Sequence, residues 1–255
     1  MSDVPVSGAA FRETFLQALD QVLAAPLFAP LLPFLTREKR EMILSFIERL
    51  VEANRSLNLT AITDPAAIAA KHVGDSLTCL LVGDWPEGAS VCDIGTGGGF
   101  PGMLLAIVRP DLDVCLVDSA GKKVEFLASV ARELATPVRT VHGRAEELGR
   151  RGEFRERYDV VVARAVARLP VLAELCLPLL KRSGWFIAMK GPAGREELAE
   201  SGRALRVLGG EAHEVREVAL PLDAGQRTLI AIRKEGSTPP SYPRRPGIPA
   251  KKPLL

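Results

Sequence analysis

Apolar residues recur at helical spacing twice near the start of the chain. The first set occupies residues 11–23 and the second residues 42–51. Because residues three and four apart share one face of a helix, each set predicts an amphipathic helix. Residues 1–10 have no basic stretch followed by an apolar run, and Pro30 and Pro33 break the next apolar segment. We therefore expect neither a signal peptide nor a membrane-spanning helix.

From residue 90 onward the pattern changes to short β-branched runs that alternate with helical stretches. This alternation is typical of an α/β fold with a mostly parallel, Rossmann-like sheet. The last two runs are separated by a turn-rich sequence at 221–225, which predicts an antiparallel hairpin that closes the sheet. The predicted strands are 91–94, 114–117, 138–141, 159–162, 185–189, 214–220 and 227–232.

These patterns divide the chain into three parts. Residues 1–84 form an N-terminal helical segment, which we expect to pack on a core domain at residues 85–234. Residues 235–255 are basic and rich in proline, glycine and serine. Such a composition predicts a tail without a core of its own.

Composition narrows the class of protein. Of the 255 residues, 47% are hydrophobic and 25% charged, as in an ordinary globular protein with a sizeable core. The 33 Lys and Arg residues nearly balance the 31 Asp and Glu residues, so any contact with nucleic acid must come from local patches. The four cysteines lack the CxxC spacing of zinc or redox sites, so we expect buried thiols, no metal and a cytoplasmic location.

The sharpest local feature is the glycine-rich loop at residues 93–102, with the sequence DIGTGGGFPG. It follows a predicted strand directly, and Pro101 suits the first turn of a helix. Glycines let the backbone turn tightly and approach a ligand, while free helix N–H groups favour an anionic one. The loop therefore predicts a cofactor site, with contacts at Asp93, Thr96, Gly97 and Gly99.

Two classes of cofactor compete for this loop. Gly97, Gly99 and Gly102 satisfy the GxGxxG spacing of nicotinamide dinucleotide sites, but that match alone is weak evidence. Asp93 precedes the first glycine and suits a cofactor with a cationic amino acid end better than a pyrophosphate, which favours S-adenosylmethionine. Asp118 closes the second strand, about 20 residues after the loop, where an acidic side chain binds ribose hydroxyls in either class.

A set of short motifs runs through the chain beyond residue 57. In chain order they are NLTAI at 58–62, His72 with DSL at 75–77, the loop at 93–102, DS at 118–119 with Lys122 and Lys123, GRAE at 143–146, RAVA at 164–167, KGP at 190–192 and YPRR at 242–245. Together they resemble the RsmG (glucose-inhibited division protein B) family over nearly all of the remaining chain. The helices before residue 54 carry no comparable motif.

The resemblance implies a class I methyltransferase fold and an activity. The family transfers a methyl group from S-adenosylmethionine to N7 of a guanine in small-subunit (16S) ribosomal RNA. The cofactor contacts that the resemblance implies are Gly95, Phe100, Asp118, Ser119, Ala120, Ala145, Glu146 and Arg164.

The expected reaction requires few catalytic side chains. Methyl transfer is an in-line displacement that mainly needs alignment, and guanine N7 presents a lone pair and no proton. Residues 163–166 lack the Asn/Asp-Pro-Pro-aromatic segment of enzymes that methylate amino groups of bases. Cys92 and Cys115 lie in predicted strands and Cys176 in a predicted helix, so we expect core residues rather than a nucleophile. No catalytic acid or base is predicted.

Arg164 and His72 each admit two interpretations. Arg164 ends the fourth strand, at the edge where open α/β sheets bind ligands, which favours a positioning role over a surface ion pair. His72 lies early in an apolar helical stretch, which favours a structural histidine bonded near Asp75 over a general base.

Basic residues supply candidates for RNA contact. Because the A-form major groove hides N7, the target guanine should be unpaired or extruded. The basic tail has no acidic residue after Glu235, and it either tracks phosphates, with Tyr242 free to stack on a base, or is merely solvated. The arginines at 150, 151, 155 and 157 are likewise either solvated or RNA contacts. The predicted RNA contacts are Lys122, Lys123, Lys190, Arg244, Arg245, Lys251 and Lys252.

Rival functions remain open at this point. A methyltransferase acting on another RNA or on a small molecule uses the same fold, although the short later connections leave little sequence for a substrate lid. A nicotinamide-dependent oxidoreductase needs a hydride-transfer motif such as Tyr-x-x-x-Lys, which the chain lacks. An RNA-binding protein with an inactive cofactor fold differs only in activity. The sequence favours a monomeric, cytoplasmic ribosomal RNA methyltransferase that binds no membrane.

Overall fold

The structure, a computed structural model, describes residues 8–255. Residues 1–7, which belong to the stretch inspected for a signal peptide, lie outside the described residues. Within that described part, no single helix combines the length and the apolar composition needed to cross a bilayer. The helices Ala9–Leu23 and Pro26–Phe34 reach both criteria only as a pair, and they meet at an angle of 109°.

Both amphipathic helices predicted near the N-terminus are confirmed. Helix α1 spans Ala9–Leu23 and helix α2 spans Arg37–Leu57, each with its apolar stripe buried. Helix α2 begins after Thr36, whose side-chain oxygen accepts a hydrogen bond from the N–H of Lys39. It ends at Asn58 in the left-handed conformation, with φ of 49°.

A run of short helical turns leads from α2 to the sheet. It comprises α3 (Pro65–Ile68), a π-helical turn (Ala69–Gly74), α4 (Asp75–Leu77) and a 3-10 turn (Thr78–Leu81). π-helical turns are rare and often mark functional sites. This one carries His72, one of the sequence motif residues.

A seven-stranded sheet forms the centre of the protein, as predicted. Its strands are β1 (Ser90–Ile94), β2 (Asp113–Asp118), β3 (Val138–His142), β4 (Tyr158–Arg164), β5 (Leu180–Lys190), β6 (Gly210–Leu220) and β7 (Gly225–Lys234). The order is β3-β2-β1-β4-β5-β7-β6, and every pair is parallel except those that involve β7. The predicted C-terminal hairpin is the antiparallel pair of β6 and β7. The strand order reverses between β1 and β4, because β2 and β3 lie on one side of β1 and β4 and β5 on the other. Doubly wound folds bind ligands at such a point.

Helices cover both faces of the sheet. They are α5 (Gly102–Val108), α6 (Gly121–Glu133), α7 (Ala145–Leu148), α8 (Leu169–Cys176), α9 (Gly194–Glu200), α10 (Gly202–Leu208) and α11 (Ile248–Lys251). Because neighbouring residues of a strand point to opposite faces, Val91 joins a core with α1, α2 and α5. Cys92 joins the core on the other side with α8 and α10.

The C-terminal segment, residues 235–255, packs against the rest of the protein, although its composition predicted only a tail without a core of its own. Thr238 and Leu254 are buried, and Leu254 belongs to the core beside α8. The side chains of Arg150 and Arg155 donate five hydrogen bonds to main-chain carbonyls of residues 238–243. Composition could not show this packing, because most of the hydrogen bonds that hold the segment involve its main chain and do not depend on which side chains it carries.

Candidate functional site

The glycine loop between β1 and α5 is held from within by Asp93. Its Oδ2 accepts hydrogen bonds from the Thr96 hydroxyl at 2.7 Å and from the Gly102 N–H at 2.8 Å. The side chain is fully buried, and burial raises its pKa to about 6. Among the described residues, Asp93 Oδ1 has no hydrogen-bond partner. Oδ2 therefore organises the loop, while Oδ1 leaves acceptor capacity, and the contact of Asp93 with the cationic end of the cofactor stays a prediction.

Two glycines of the loop allow close approaches that a side chain would block. Gly95 has a φ of 71°, and a Cβ there would lie 2.5 Å from Cγ2 of Val166. A Cβ on Gly102 would lie 2.3 Å from Cδ2 of Leu116, so α5 packs tightly on β2 only with glycine at this position. The loop therefore fixes both a surface at Gly95 and the start of α5.

A first cavity, of about 210 Å³, opens at the carboxyl ends of β1 and β2. Asp118, Ser119, Arg144 and Glu146 supply its polar lining, and Gly95 contributes backbone. Its apolar lining comes from Ile94, Val117, Ala145, Val166, Val171 and Leu175. Parallel α/β sheets bind their ligands at this edge.

The two carboxylates of the first cavity are fixed by main-chain N–H groups. Asp118 accepts from Gly97 at Oδ2 (2.9 Å) and from Ala120 at Oδ1 (2.8 Å). Glu146 Oε1 accepts from the N–H of Gly247 at 3.0 Å. A carboxylate has about four acceptor sites, so capacity remains for ligand hydroxyls. Apolar walls for a base and carboxylates for ribose hydroxyls fit the adenosyl part of S-adenosylmethionine.

Several predicted cofactor contacts do not line the first cavity. Thr96 is engaged by Asp93, and Gly97 and Ala120 support Asp118 through their N–H groups. Phe100 is buried with its ring against those of Phe46 and His72. The remaining two, Gly99 and Arg164, also lie outside the lining. Of the predicted set, Gly95, Asp118, Ser119, Ala145 and Glu146 line the cavity.

A second cavity, of about 390 Å³, lies beside the ends of β4 and β5. It has four cationic side chains in its lining against two carboxylates, which leaves an excess of positive charge. The cations are Lys71, Arg164, Lys190 and Arg227, and the carboxylates are Asp75 and Glu197. Such a surface favours an anionic ligand.

Asp75 fixes two of these guanidinium groups. Its Oδ2 lies 3.2 Å from Nη1 of Arg164 and its Oδ1 lies 3.0 Å from Nε of Arg227. Arg164 also donates to the carbonyl of Lys71 at 3.0 Å, and its Cζ lies 5.2 Å from the centroid of the Phe100 ring. These contacts hold Arg164 in one orientation. Phe100 packs against its guanidinium group and does not itself line the second cavity.

His72 supports Arg164 and is uncharged. Its Nε2 lies 2.7 Å from the Thr60 hydroxyl, and its Nδ1 lies 3.4 Å from Nη2 of Arg164. Its ring stacks on Phe100 with centroids 4.6 Å apart. Burial, with the charge of Arg164, lowers the pKa of His72 to about 4. The histidine is bonded as the structural interpretation expected, but its partners are Thr60 and Arg164 and not Asp75.

Residues 164–167 separate the two cavities. Arg164 and Ala165 line the second cavity, whereas Val166 lines the first and Ala167 also lies on that side. Ala165 has a φ of 57°, which is unusual for a residue with a side chain and is typical of functional sites. The two cavities therefore share a wall that is a few residues thick.

The predicted RNA contacts fall into two groups. Lys190 is buried, with Nζ 2.7 Å from the Ala167 carbonyl and 2.7 Å from Glu197. Arg244 pairs with buried Glu174 at 2.6 Å. Both cations are held by carboxylates, Lys190 in the lining of the second cavity and Arg244 in a partly exposed position, so their contact with RNA stays a prediction. Of the others, Lys123 is half-buried, and the exposed ones are Lys122, Arg245, Lys251 and Lys252.

The cysteines are core residues, as predicted. All four are buried and reduced. Burial raises the pKa of the thiols of Cys79 and Cys176, which disfavours the thiolate that a nucleophile needs. Within residues 8–255, no group of three His, Cys, Asp or Glu side chains is arranged to hold a metal ion.

Two parts of this site escaped sequence reasoning. Arg227 lies on β7 near its start, and no motif in the sequence distinguished it from the other cations of that strand. Gly247, Pro249 and Ala250 line the first cavity from the C-terminal segment. The motif at 242–245 was the sole hint that this segment has a fixed place.

Comparison with known proteins places the chain in a family. Residues 39–230 match the GidB family, described as rRNA small subunit methyltransferase G. A ribosomal RNA small subunit methyltransferase G of Desulforamulus reducens is 48% identical over 206 residues, which cover 80% of this chain and 86% of that protein. The protein of the same name from Desulfitobacterium hafniense is 46% identical, covering 88% and 97% of the two chains.

Solved structures support the fold. The pre-rRNA processing protein fibrillarin of Methanococcus jannaschii superposes with a TM-score of 0.50 at 14% identity, over 64% of this chain and 76% of that one. At this identity the likeness bears on the fold alone, which is that of class I methyltransferases.

Proposed function

The chain belongs to the rRNA small subunit methyltransferase G family, and on that premise we propose that it methylates N7 of a guanine in small-subunit ribosomal RNA. S-adenosylmethionine is the methyl donor. We propose further that the protein acts as a monomer without a metal ion, and that the guanine is unpaired or extruded when it enters the site.

The adjacency of the two cavities at residues 164–167 is the observation that supports this proposal. Methyl transfer is an in-line displacement, so the attacking nitrogen and the departing sulfur must lie on opposite sides of the methyl carbon and their binding sites must meet. A cavity with two carboxylates and a second cavity with excess positive charge adjoin at this segment. We assign the first cavity to the cofactor and the second to the target nucleotide.

In the first cavity, the side chains bind and orient. Bound S-adenosylmethionine supplies an electrophilic methyl group on a sulfonium sulfur. Asp118 and Glu146, each held by backbone N–H groups, are placed to accept hydrogen bonds from ribose hydroxyls. The apolar lining accommodates the adenine. Gly95 allows the close approach of Val166 at the border between the two cavities.

In the second cavity, cations position the RNA and no proton needs to be moved. Guanine N7 attacks with its lone pair, so a general base is not required. Arg164 and Arg227 present guanidinium groups that suit the phosphates flanking an extruded base. His72, uncharged at neutral pH, keeps Arg164 in place with Thr60 and Phe100.

In vitro methylation separates this proposal from the small-molecule and other-RNA alternatives. The purified protein is incubated with labelled S-adenosylmethionine and either free small-subunit ribosomal RNA or the assembled subunit, and the digested RNA is separated into nucleosides. We expect label in 7-methylguanosine at one position. Label in another nucleoside, or none in either substrate by a protein that binds the cofactor, would contradict the proposal.

A further inference from the structure

The C-terminal segment forms one wall of the first cavity. Its lining includes Gly247, Pro249 and Ala250, which are far from the glycine loop in the sequence. In space they lie beside Glu146 and Leu175, which line the same cavity. Those three residues belong to the part of the chain whose composition predicted a basic tail without a core of its own. Their position gives that segment a role in ligand binding that its charge does not suggest.

An ion pair latches this wall to α8. Glu174 is fully buried, and Arg244 donates to its carboxylate from the main-chain N–H at 2.7 Å, from Nε at 2.9 Å and from Nη2 at 2.6 Å. A buried carboxylate without its partner is strongly destabilising, so the pair is favoured once the segment is in place. Helix α8 also supplies Val171 and Leu175 to the same cavity.

A second contact joins the segment to a cofactor-facing side chain. Gly247 adopts the left-handed conformation, with φ of 81°, and its N–H donates to Glu146 Oε1 at 3.0 Å. Glu146 is 6% exposed and lines the cavity. The segment therefore contributes surface and also orients one of the two carboxylates of the cavity.

The approach to this latch is fixed by arginines that sequence patterns left undecided. Arg150 donates to the carbonyls of Ser241 and Pro243, and Arg155 to those of Thr238, Pro239 and Tyr242. Both arginines lie on the connection between α7 and β4. Their hydrogen bonds hold residues 238–243 against the protein, and this course of the chain places Arg244 next to Glu174.

We infer that residues 244–250 are part of the cofactor site and that the Glu174–Arg244 pair is the positioning latch that sets cofactor affinity. The inference rests on the proposed assignment of the first cavity to S-adenosylmethionine. Arg244 acts through Gly247 and Glu146 rather than by touching the cofactor. Loss of the latch releases one wall of the cavity and the hydrogen bond that orients Glu146.

The test compares two variants that differ in the latch. Glu174→Gln with Arg244→Gln removes both charges, so no buried charge is left unpaired. Arg245→Gln removes one cation from the next residue, which is exposed. Calorimetry with S-adenosylhomocysteine should show the double variant weakened about tenfold or more, with faster dissociation in stopped flow. The Arg245→Gln protein should stay within about twofold of wild type.

An RNA role for Arg244 predicts the opposite pattern, namely unchanged cofactor affinity and a flatter salt dependence of RNA binding. A folded double variant with wild-type affinity for S-adenosylhomocysteine would overturn the inference. If the double variant fails to fold, Ala250→Trp decides, because it adds bulk at the cavity lining. Its control is Ile248→Trp, two residues earlier, exposed and outside the lining. Equal affinities in those two proteins would also overturn it. Wild-type protein that binds no S-adenosylhomocysteine would refute the cofactor assignment itself.

Discussion

Arg164 and Asp75 are 89 residues apart in the chain, yet Nη1 of the arginine lies 3.2 Å from Oδ2 of the carboxylate. The pair joins the end of β4 to the start of α4, the short helix that follows the π-helical turn. Asp75 holds Arg227 in the same way from β7. One buried carboxylate thus aligns two cations on one cavity, and this fixed geometry is what alignment of an RNA substrate requires.

Replacing Arg164 with alanine should lower single-turnover methylation about a hundredfold, because a misplaced reactant loses alignment at that scale. Cofactor affinity and the salt dependence of RNA binding should hardly change, since Arg164 lies outside the first cavity and makes one contact among many. Arg168→Ala is the matched control, because that side chain is 61% exposed and pairs with Glu200 at the surface. Equal losses in the two variants would argue against a positioning role for Arg164.

Alanine at Gly95 should weaken cofactor binding, since its Cβ would press on Val166 at the wall of the first cavity. Gly88 provides the control: its φ is 72°, against 71° for Gly95, and a Cβ there meets nothing within 4 Å. Both variants should lose about 1 kcal/mol of stability to the left-handed conformation. Calorimetry should show a loss of affinity for Gly95→Ala alone. A similar loss in Gly88→Ala would mean that backbone strain and not the wall is responsible.

The buried amine of Lys234 should make stability depend on pH. Its Nζ donates to the carbonyls of Leu177 and Leu208 and to Thr238, and burial lowers its pKa from 10.5 to about 8. Between those two values the unfolded chain binds more protons than the folded one, so this group raises the free energy of unfolding as pH rises. From pH 8 to 10 the gain should be about 2 kcal/mol.

Urea unfolding of wild type and of Lys234→Met across this range isolates the effect, because other groups titrate equally in both proteins. The difference in free energy of unfolding should grow with pH in favour of wild type. A difference that stays constant would show that Lys234 keeps its ordinary pKa.

Besides Arg245, the two adjacent lysines Lys251 and Lys252 are exposed candidates for phosphate contact on the C-terminal segment. Replacing both with alanine should flatten the salt dependence of RNA binding by about one unit of slope per lost contact. Cofactor affinity should stay the same. Identical slopes for wild type and the variant in salt titrations would leave these lysines as solvated residues.

The sequence predicted the parts of the structure that arise from periodic patterns. Alternating strands and helices predicted the mostly parallel sheet. The glycines after β1 predicted a tight loop, and in the structure Gly95 and Gly102 allow the close approach of Val166 and Leu116. The same pattern could not show that Oδ2 of Asp93 organises the loop, because its partners are a hydroxyl and a main-chain N–H within the loop.

Long-range ion pairs were beyond reach for a different reason. The proline-rich sequence around Arg244 does not reveal whether this side chain faces water or pairs with Glu174, because only the fold brings the two residues together. Arg227 and Asp75 are likewise 152 residues apart. Buried charge pairs leave no periodic signal, so the cations of the second cavity and the wall of the first became visible only in three dimensions.

Nucleoside analysis of small-subunit ribosomal RNA from cells that lack this protein tests the central claim most directly. The account predicts that one 7-methylguanosine disappears, that the wild-type gene restores it, and that a gene encoding Arg164→Ala restores it poorly despite equal protein levels. Unchanged 7-methylguanosine in the RNA of the deletion strain would contradict the account.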